Sequence, residues 1–408
     1  MKTPSGNIFS LAVLVAALGY FVDIYDLLLF SIIRIPSLQS FGLSKEEITA
    51  GGEAILSFQM WGLLLGGVLW GVLGDKKGRL SVLFGSIILY SIANILNGFV
   101  TNVEQYKWIR FAAGIGLAGE LGAGITLVSE LTEKEKRGLA TSFVAGIGLT
   151  GAVVAFLMKQ NFEWRTCYFI GGGLGLALLL LRISVYESGL YEQIKSTSFS
   201  RGNFFQFFTN RKRFFRYMLN ILIGLPTWLV IGVLVTFSGE FAESMQVNGK
   251  VDPGRAIMYA YAAIAVGDVL IGFVSQWFKS RKKALYIFYL ITILFIVLFF
   301  TTGWNSSPER IYWICAGLGF GTGFWAIFVT MAAEQFGTNL RATAATTIPN
   351  MVRGMLAVLI LPLFKTIRLE TDYFTSGWIT SLIIMLISLC GVVMISETFH
   401  KDLNFVEE

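Results

Sequence analysis

The sequence predicts an all-α membrane protein of twelve transmembrane helices, arranged as two pseudo-symmetric six-helix halves. Two observations carry this. The first is composition: of 408 residues, 55% are apolar and only 14% are charged, too few charges to cover a water-facing surface. The second is an internal repeat. Glu130, in Ser129-Glu130-Leu131, is followed seven residues later by Arg137 and Gly-Leu-Ala-Thr. Glu334, in Ala333-Glu334-Gln335, is followed at the same spacing by Arg341 and Ala-Thr-Ala-Ala-Thr. Upstream, Ala113-Gly114-Ile115-Gly116-Leu117 is echoed by Ala316-Gly317-Leu318-Gly319-Phe320. The offset of about 204 residues is half the chain.

A spanning helix needs about 20 mostly apolar residues. Such stretches lie near 9–33, 48–73, 80–100, 107–130, 139–159, 165–183, 217–238, 256–278, 284–303, 310–332, 342–366 and 374–396. This divides the chain into an N-terminal half (1–183), a linker (184–216) and a C-terminal half with a short tail (217–408). Lys and Arg cluster at 76–79, 134–137, 211–216 and 279–283. By the positive-inside rule these loops, and with them both termini, are cytoplasmic. The basic pI therefore reflects topology and contact with anionic lipid, and nucleic acid is not an expected partner.

The first span is too long for a cleavable signal and is expected to remain as an anchor. It holds Asp23 and Asp26, which are three residues apart and so share a helix face with Tyr20 and Phe30. Two close carboxylates in a dry setting repel, which makes them candidates for taking up and releasing a proton. Between spans 2 and 3, Gly74-Asp75-Lys76-Lys77-Gly78-Arg79 reads as a tight basic loop. Its glycines permit the turn, and Asp75 can accept from a neighbouring helix end. Gln59 in span 2 is a weaker candidate for binding. Span 4 carries Arg110 in its outer third and Glu120 near mid-depth. Its Gly114-x-Gly116-x-x-Gly119 has the letters of a dinucleotide fingerprint but no preceding strand, so close helix packing is expected instead.

The linker's second part, 203–216, mixes aromatics with cations and suits an interfacial helix or an ordinary start to span 7. Span 7 contains Asn220, Gly224, Pro226, Thr227 and Trp228. A proline there breaks the hydrogen-bond ladder, which a membrane tolerates where a cavity is lined. The segment 239–255 is a turn-rich outer loop. Asp268 in span 8, Trp325 in span 10, and Asn350 and Arg353 in span 11 complete the polar set. Ionisable groups at membrane depth are costly and face a cavity or a partner. Arg353 either pairs with Asp268 or is available to an anionic substrate. Cys167, Cys315 and Cys390 fall within spans and show no paired framework. The one histidine, His400, lies in the tail. Intramembrane proton chemistry is thus left to carboxylates. No metal-ligand cluster, nucleotide loop or catalytic constellation is evident, and neither a cofactor nor an enzymatic activity is expected.

The Gly74–Arg79 loop resembles the G-x-x-x-D-R/K-x-G-R-R/K signature of the major facilitator superfamily. The second copy, Gly272 to Lys282, is degenerate, with Gln276 where the acid would stand. Glu130/Arg137 and Glu334/Arg341 resemble the charge-relay motif of that superfamily's sugar-porter-like branch. Leu181-Arg182-Ile-Ser-Val-Tyr186-Glu187-Ser188 resembles its R-x-x-x-P-E-S-P without the prolines. The paired aspartates of span 1 resemble those of its aromatic-acid and organic-ion proton symporters, Ala118-Gly119-Glu120 the acidic G-G-E/D element of several proton-coupled branches, Arg110 the arginine opening the family's R-x-x-x-G-x-G, and Arg353 the span-11 arginine of organic-anion carriers.

This resemblance implies the major facilitator fold and alternating access in a bacterial inner membrane, by a protein working as a monomer. Asp23, Asp26 and Glu120 would serve the proton. Tyr20, Arg110, Trp228, Trp325, Asn350 and Arg353 would serve a small organic anion. Gly74, Asp75, Arg79, Glu130, Arg137, Glu187, Glu334 and Arg341 would gate the cytoplasmic side. Two other readings stay open: a sugar or polyol porter of the same fold, in which the buried arginines are structural, and a non-transporting receptor or scaffold built on a carrier fold.

Overall fold

The computed structural model describes residues 11–77, 79–120, 137–187, 204–399, 401 and 407, and every regular element among them is a helix. The N-terminal half contains α1 (Leu11–Gln39), α2 (Lys45–Lys77), α3 (Arg79–Asn97), α4 (Val103–Leu117), α5 (Arg137–Asn161) and α6 (Trp164–Glu187). The C-terminal half contains α7 (Arg211–Leu229), α8 (Pro253–Phe278), α9 (Arg281–Thr302), α10 (Pro308–Thr322), α11 (Trp325–Glu334), α12 (Thr338–Met355), α13 (Leu361–Glu370) and α14 (Tyr373–Met394). Span 10 is α10 plus α11, and span 11 is α12 plus α13. Among the described residues, ten spans are long and apolar enough to cross a membrane, and α3 contributes a shorter apolar helix at Val82–Asn97. With α4 these make the twelve transmembrane helices, in two halves of six.

The lipid-facing surface can be read directly. Leu65 and Leu69, Ile88, Ile92 and Leu96, Leu290 and Leu294, and Leu382 and Leu386 are exposed at four-residue spacing. Each set is one helical stripe with no water-soluble purpose. Inside, close contact is made by glycine. A Cβ at Gly62 would strike the Phe111 carbonyl, one at Gly114 the Gln59 carbonyl, and one at Gly116 the Tyr90 backbone. The fingerprint-like glycines of α4 are therefore a packing seam against α2 and α3. The C-terminal half repeats this seam: Gly319 faces the Ala260 backbone of α8, and Gly321 faces Thr292 of α9. By these contacts Gly114 corresponds to Gly319 and Gly116 to Gly321, two residues away from the match suggested by the letters.

Other local differences have plain causes. Span 10 is broken rather than continuous. It stops at Thr322, Gly323 caps it, and a new helix begins at Trp325. The Gly74–Arg79 motif is helical on both sides: α2 runs to Lys77 and α3 starts at Arg79, so Gly74 and Asp75 lie in the last turns of α2. The linker ends in a single helical turn, Gln206–Thr209, and Asn210 then caps α7 by accepting from the N–H groups of Lys212 and Arg213. Phe204 and Phe207 fold inward, with Phe207 4.7 Å from the Tyr217 ring and 5.0 Å from Phe336. In 239–255 a short helix, Ser238–Ser244, precedes turns at Gln246 and Gly249, both with positive φ. Two π-helical stretches, Val230–Val235 and Leu356–Ile360, follow α7 and α12.

The two halves meet where α2 packs on α12 and α5 on α8. Gly67 of α2 leaves room for the Asn350 side chain, and Gly354 of α12 does so for Leu64. One end of the bundle carries the basic clusters 211–216 and 279–283, and the other carries the loops at 40–44, 162–163 and 245–252. They are called here the basic end and the far end.

Candidate functional site

Midway along the interface, Arg353 and Asp23 approach each other across the two halves. Arg353 Nη2 lies 3.6 Å from Asp23 Oδ2, and both side chains are at most 2% exposed. That is an ion pair beyond hydrogen-bond distance. Neither carboxylate oxygen of Asp23 has a hydrogen-bond partner, and neither do Nε and Nη1 of Arg353. Thr227 Oγ1, Trp228 Nε1 and Asn350 Oδ1 are likewise buried without partners. The position is set by backbone irregularity: Arg353 occupies the last turn of α12, just before one π segment, and Trp228 lies just before the other. Such bulges re-aim side chains and favour functional sites. Tyr20 and Tyr261 are within electrostatic reach of Asp23 and Arg353. Tyr261 was not among the sequence candidates, since a tyrosine in an apolar run gives no signal.

Several expectations are corrected. Asp268 does not pair with Arg353. Its Oδ1 accepts from the N–H of Ala326 at 3.0 Å, capping α11 at the break in span 10. An exposed helix start attracts a carboxylate, and here that demand lies closer to Asp268 than the arginine does. Arg110 is engaged within its own half rather than at the interface. It is fully buried and donates to Gln59 Oε1 (3.3 Å), Asn94 Oδ1 (3.2 Å) and the Asp26 carbonyl (3.0 Å). It ties α1, α2, α3 and α4 together. Asp26 lies on this side too: its Oδ1 occupies the space a Cβ on Gly171 would fill, and Arg110 is the principal opposite charge acting on it. The two aspartates of span 1 thus face different arginines, Asp23 towards the partner half and Asp26 into its own.

Glu120 is not a free acid. It forms a bidentate pair with Arg182, whose Nη1 donates to Oε2 at 3.1 Å and whose Nη2 contacts Oε1. Gly19 of α1 makes the room for this pair. Breaking a buried pair from one side leaves an uncompensated charge, typically at about 3–5 kcal/mol. Glu120→Gln is therefore expected to lower the melting temperature of the detergent-purified protein markedly, while the pH profile of uptake by the surviving fraction stays unchanged. A moved profile would return Glu120 to the proton pathway.

Asn350 Nδ2 donates across the interface to the Ala118 carbonyl at 2.8 Å. The Trp325 ring packs on Phe328 at 5.1 Å. Of the gating candidates, Glu130 lies outside the described residues. Gly74, Asp75, Arg79, Arg137 and Glu187 are described in backbone only. Glu334 is held within its own half by Arg281 (3.2 Å) and by the Thr398 hydroxyl of the tail (2.6 Å). Arg341, in the first turn of α12, feels the charge of Glu334.

A set of ion pairs absent from the sequence reading closes the far end. Four join the halves there: Arg34–Glu240 at 2.6 Å, Lys45–Glu243 at 2.5 Å, Lys159–Asp252 at 2.6 Å, and the Arg368–Glu53 pair, which Tyr373 also contacts. Among the described residues, the ion pairs at the basic end, Arg216–Glu407 and Arg281–Glu334, stay within the C-terminal half.

Comparison with known proteins agrees with this architecture. A Bacillus subtilis (strain 168) protein, provisionally named niacin/nicotinamide transporter NiaP, is 27% identical over 399 residues, covering 96% of each chain. The cis,cis-muconate transport protein of Acinetobacter baylyi is 26% identical over 360 residues, covering 82% of each. The proton:xylose symporter XylE, solved with 6-bromo-6-deoxy-D-glucose bound, has a TM-score of 0.71 at 16% identity over 98% of both chains. At that identity the likeness speaks for the fold alone. The sequence model of the Major Facilitator Superfamily matches residues 9–362. The chain is a multi-pass membrane transporter and belongs to the Major Facilitator Superfamily.

Proposed function

We propose that the protein is a proton-coupled symporter of small organic anions, carboxylates above all, working by alternating access in a bacterial inner membrane. The basic end faces the cytoplasm, where its lysines and arginines are favoured. Residues 1–183 and 217–408 act as the two rocking units, joined by 184–216. The carrying observation is the buried Asp23–Arg353 pair, held 3.6 Å apart with the remaining polar atoms of both groups unpartnered. A carboxylate substrate can replace Asp23 as the partner of Arg353 once Asp23 takes up a proton. The guanidinium then stays neutralised throughout, and one proton accompanies one carboxylate. Release of the proton returns Asp23 to Arg353 and displaces the cargo. The names of the relatives support the class, since niacin and muconate are both carboxylic acids.

The test is calorimetric binding of nicotinate and cis,cis-muconate, with nicotinamide and xylose as neutral controls. Arg353→Ala is expected to weaken binding of a carboxylate ligand by about 1.5–3 kcal/mol, the worth of a charged hydrogen bond. Arg353→Lys should recover part of it, because the charge returns without the planar fork. Binding of the neutral ligands in preference to the acids, with the alanine variant unaffected, would move the protein to the sugar-porter reading.

A further inference from the structure

Away from the central site, the basic end carries a cleft of about 740 Å³ between the start of α7 and the chain that follows α14. Its lining joins three cations, Lys212, Arg216 and Lys401, to four apolar side chains, Phe215, Leu219, Met394 and Ile395. Phe214, Phe215, Val393 and Met394 are exposed beside it, with Met394 57% exposed. The cleft therefore opens where the apolar surface of the bundle gives way to its basic end.

The charges around it are unequal in availability. Glu397 lines the cleft, but its carboxylate is engaged elsewhere. It accepts from the N–H groups of Arg281 (3.0 Å), Lys282 (3.2 Å), Thr398 (2.8 Å) and Phe399 (3.0 Å) and from the Ser280 hydroxyl. Burial alone would push this carboxyl up, but those donors bring it down to about 2. Arg216 contacts Glu407 at 2.9 Å and the Gln335 carbonyl at 2.7 Å. The Lys401 amine donates to that same carbonyl at 3.2 Å, and burial together with Arg216 holds it below its ordinary range. Lys212 is exposed, and no partner for its amine is found among the described residues. Asn210 already satisfies the first N–H groups of α7, so the helix start itself is spoken for.

We propose that this cleft binds an anionic phospholipid, with its phosphate among Lys212, Arg216 and Lys401 and an acyl chain along Phe215, Leu219 and Met394. A soluble anion has no use for the apolar half of the lining, and a zwitterionic lipid carries its own cation, which Lys212, Arg216 and Lys401 would repel. Basic pockets between spans at the cytoplasmic leaflet suit such headgroups. The bound lipid would join the start of span 7 to the chain after span 12, adding to what Arg216 and Lys401 already do through Gln335.

The test is native mass spectrometry of the full chain, delipidated in detergent and titrated with phosphatidylglycerol or phosphatidylcholine, with thermal stability read in parallel. Wild-type protein should retain phosphatidylglycerol preferentially. Lys212→Ala should weaken that retention about fivefold, and adding Lys401→Ala should weaken it by about as much again. Lys250→Ala, an exposed far-end control, should change nothing. Equal retention of phosphatidylcholine, or undiminished retention by Lys212→Ala, would overturn the proposal. So would equal thermal stabilisation by millimolar inorganic phosphate, which would mark a soluble-anion site. Should the double variant fold poorly, Lys212→Ala alone decides, since its side chain is exposed.

Discussion

Replacing Glu240 with glutamine is expected to tip the protein out of its far-end-closed conformation. Arg34 is fully buried in that conformation. Its guanidinium has Glu240 at 2.6 Å, the Thr236 carbonyl at 3.3 Å and the Phe237 ring at 4.6 Å, and Gly52 leaves space for its stem. Removing the carboxylate strands the cation in the closed state at about 3–5 kcal/mol, whereas the open state returns it to water. The population ratio should therefore shift by roughly 150- to 4,500-fold. The exposed pair Lys45–Glu243 should matter far less, as surface pairs are worth about 0–1 kcal/mol. Spin labels at Thr101 and Asn305, exposed far-end positions in opposite halves, would report the separation by double electron–electron resonance in a Cys390→Ser background. A distance distribution identical to that of unmutated Glu240 would remove the far-end pairs from the gate.

Asp23→Asn should abolish uphill uptake driven by a proton gradient and leave exchange of labelled for unlabelled substrate intact. The amide imitates the protonated acid, so Arg353 is permanently free for cargo and the loaded carrier still reorients. What is lost is proton release, and with it the link between the gradient and the substrate. Substrate binding should also lose its pH dependence. Asp26→Asn is the informative companion, because Asp26 faces Arg110 and Gly171 inside its own half. The two carboxylates still sense each other, so each change is tested singly and together. Driven uptake that survives in both single variants and in the double, with its pH profile unmoved, would sink the assignment.

The architecture was legible because hydropathy and repetition are properties of the chain itself. The site was only partly so, because pairing is a property of the fold. Arg34 and Glu240 are 206 residues apart in sequence and read as ordinary span-end charges until the halves are docked. Arg110 and Arg353 look alike as lone cations at membrane depth. One is satisfied by Gln59, Asn94 and a carbonyl, groups whose role as partners has no signature, while the other is left facing an acid. Asp268 has the right depth to meet Arg353, but depth does not say which neighbour a side chain turns to. The break in span 10 was hidden because Gly323 sits in a run of glycines that serve helix contact equally well.

The glycine seam between α2 and α4 bears on how such a chain can diverge. At Gly62 and Gly114 the neighbouring backbone already occupies the place of a side chain, so substitution demands that two helices part. On the lipid-facing stripes of α3 and α14, any apolar side chain meets the same fluid hydrocarbon and little is selected beyond greasiness. Descent is thus free to rewrite the outer coat while the seam stays fixed. Two chains can then share hardly a quarter of their letters and still pack the same helices together.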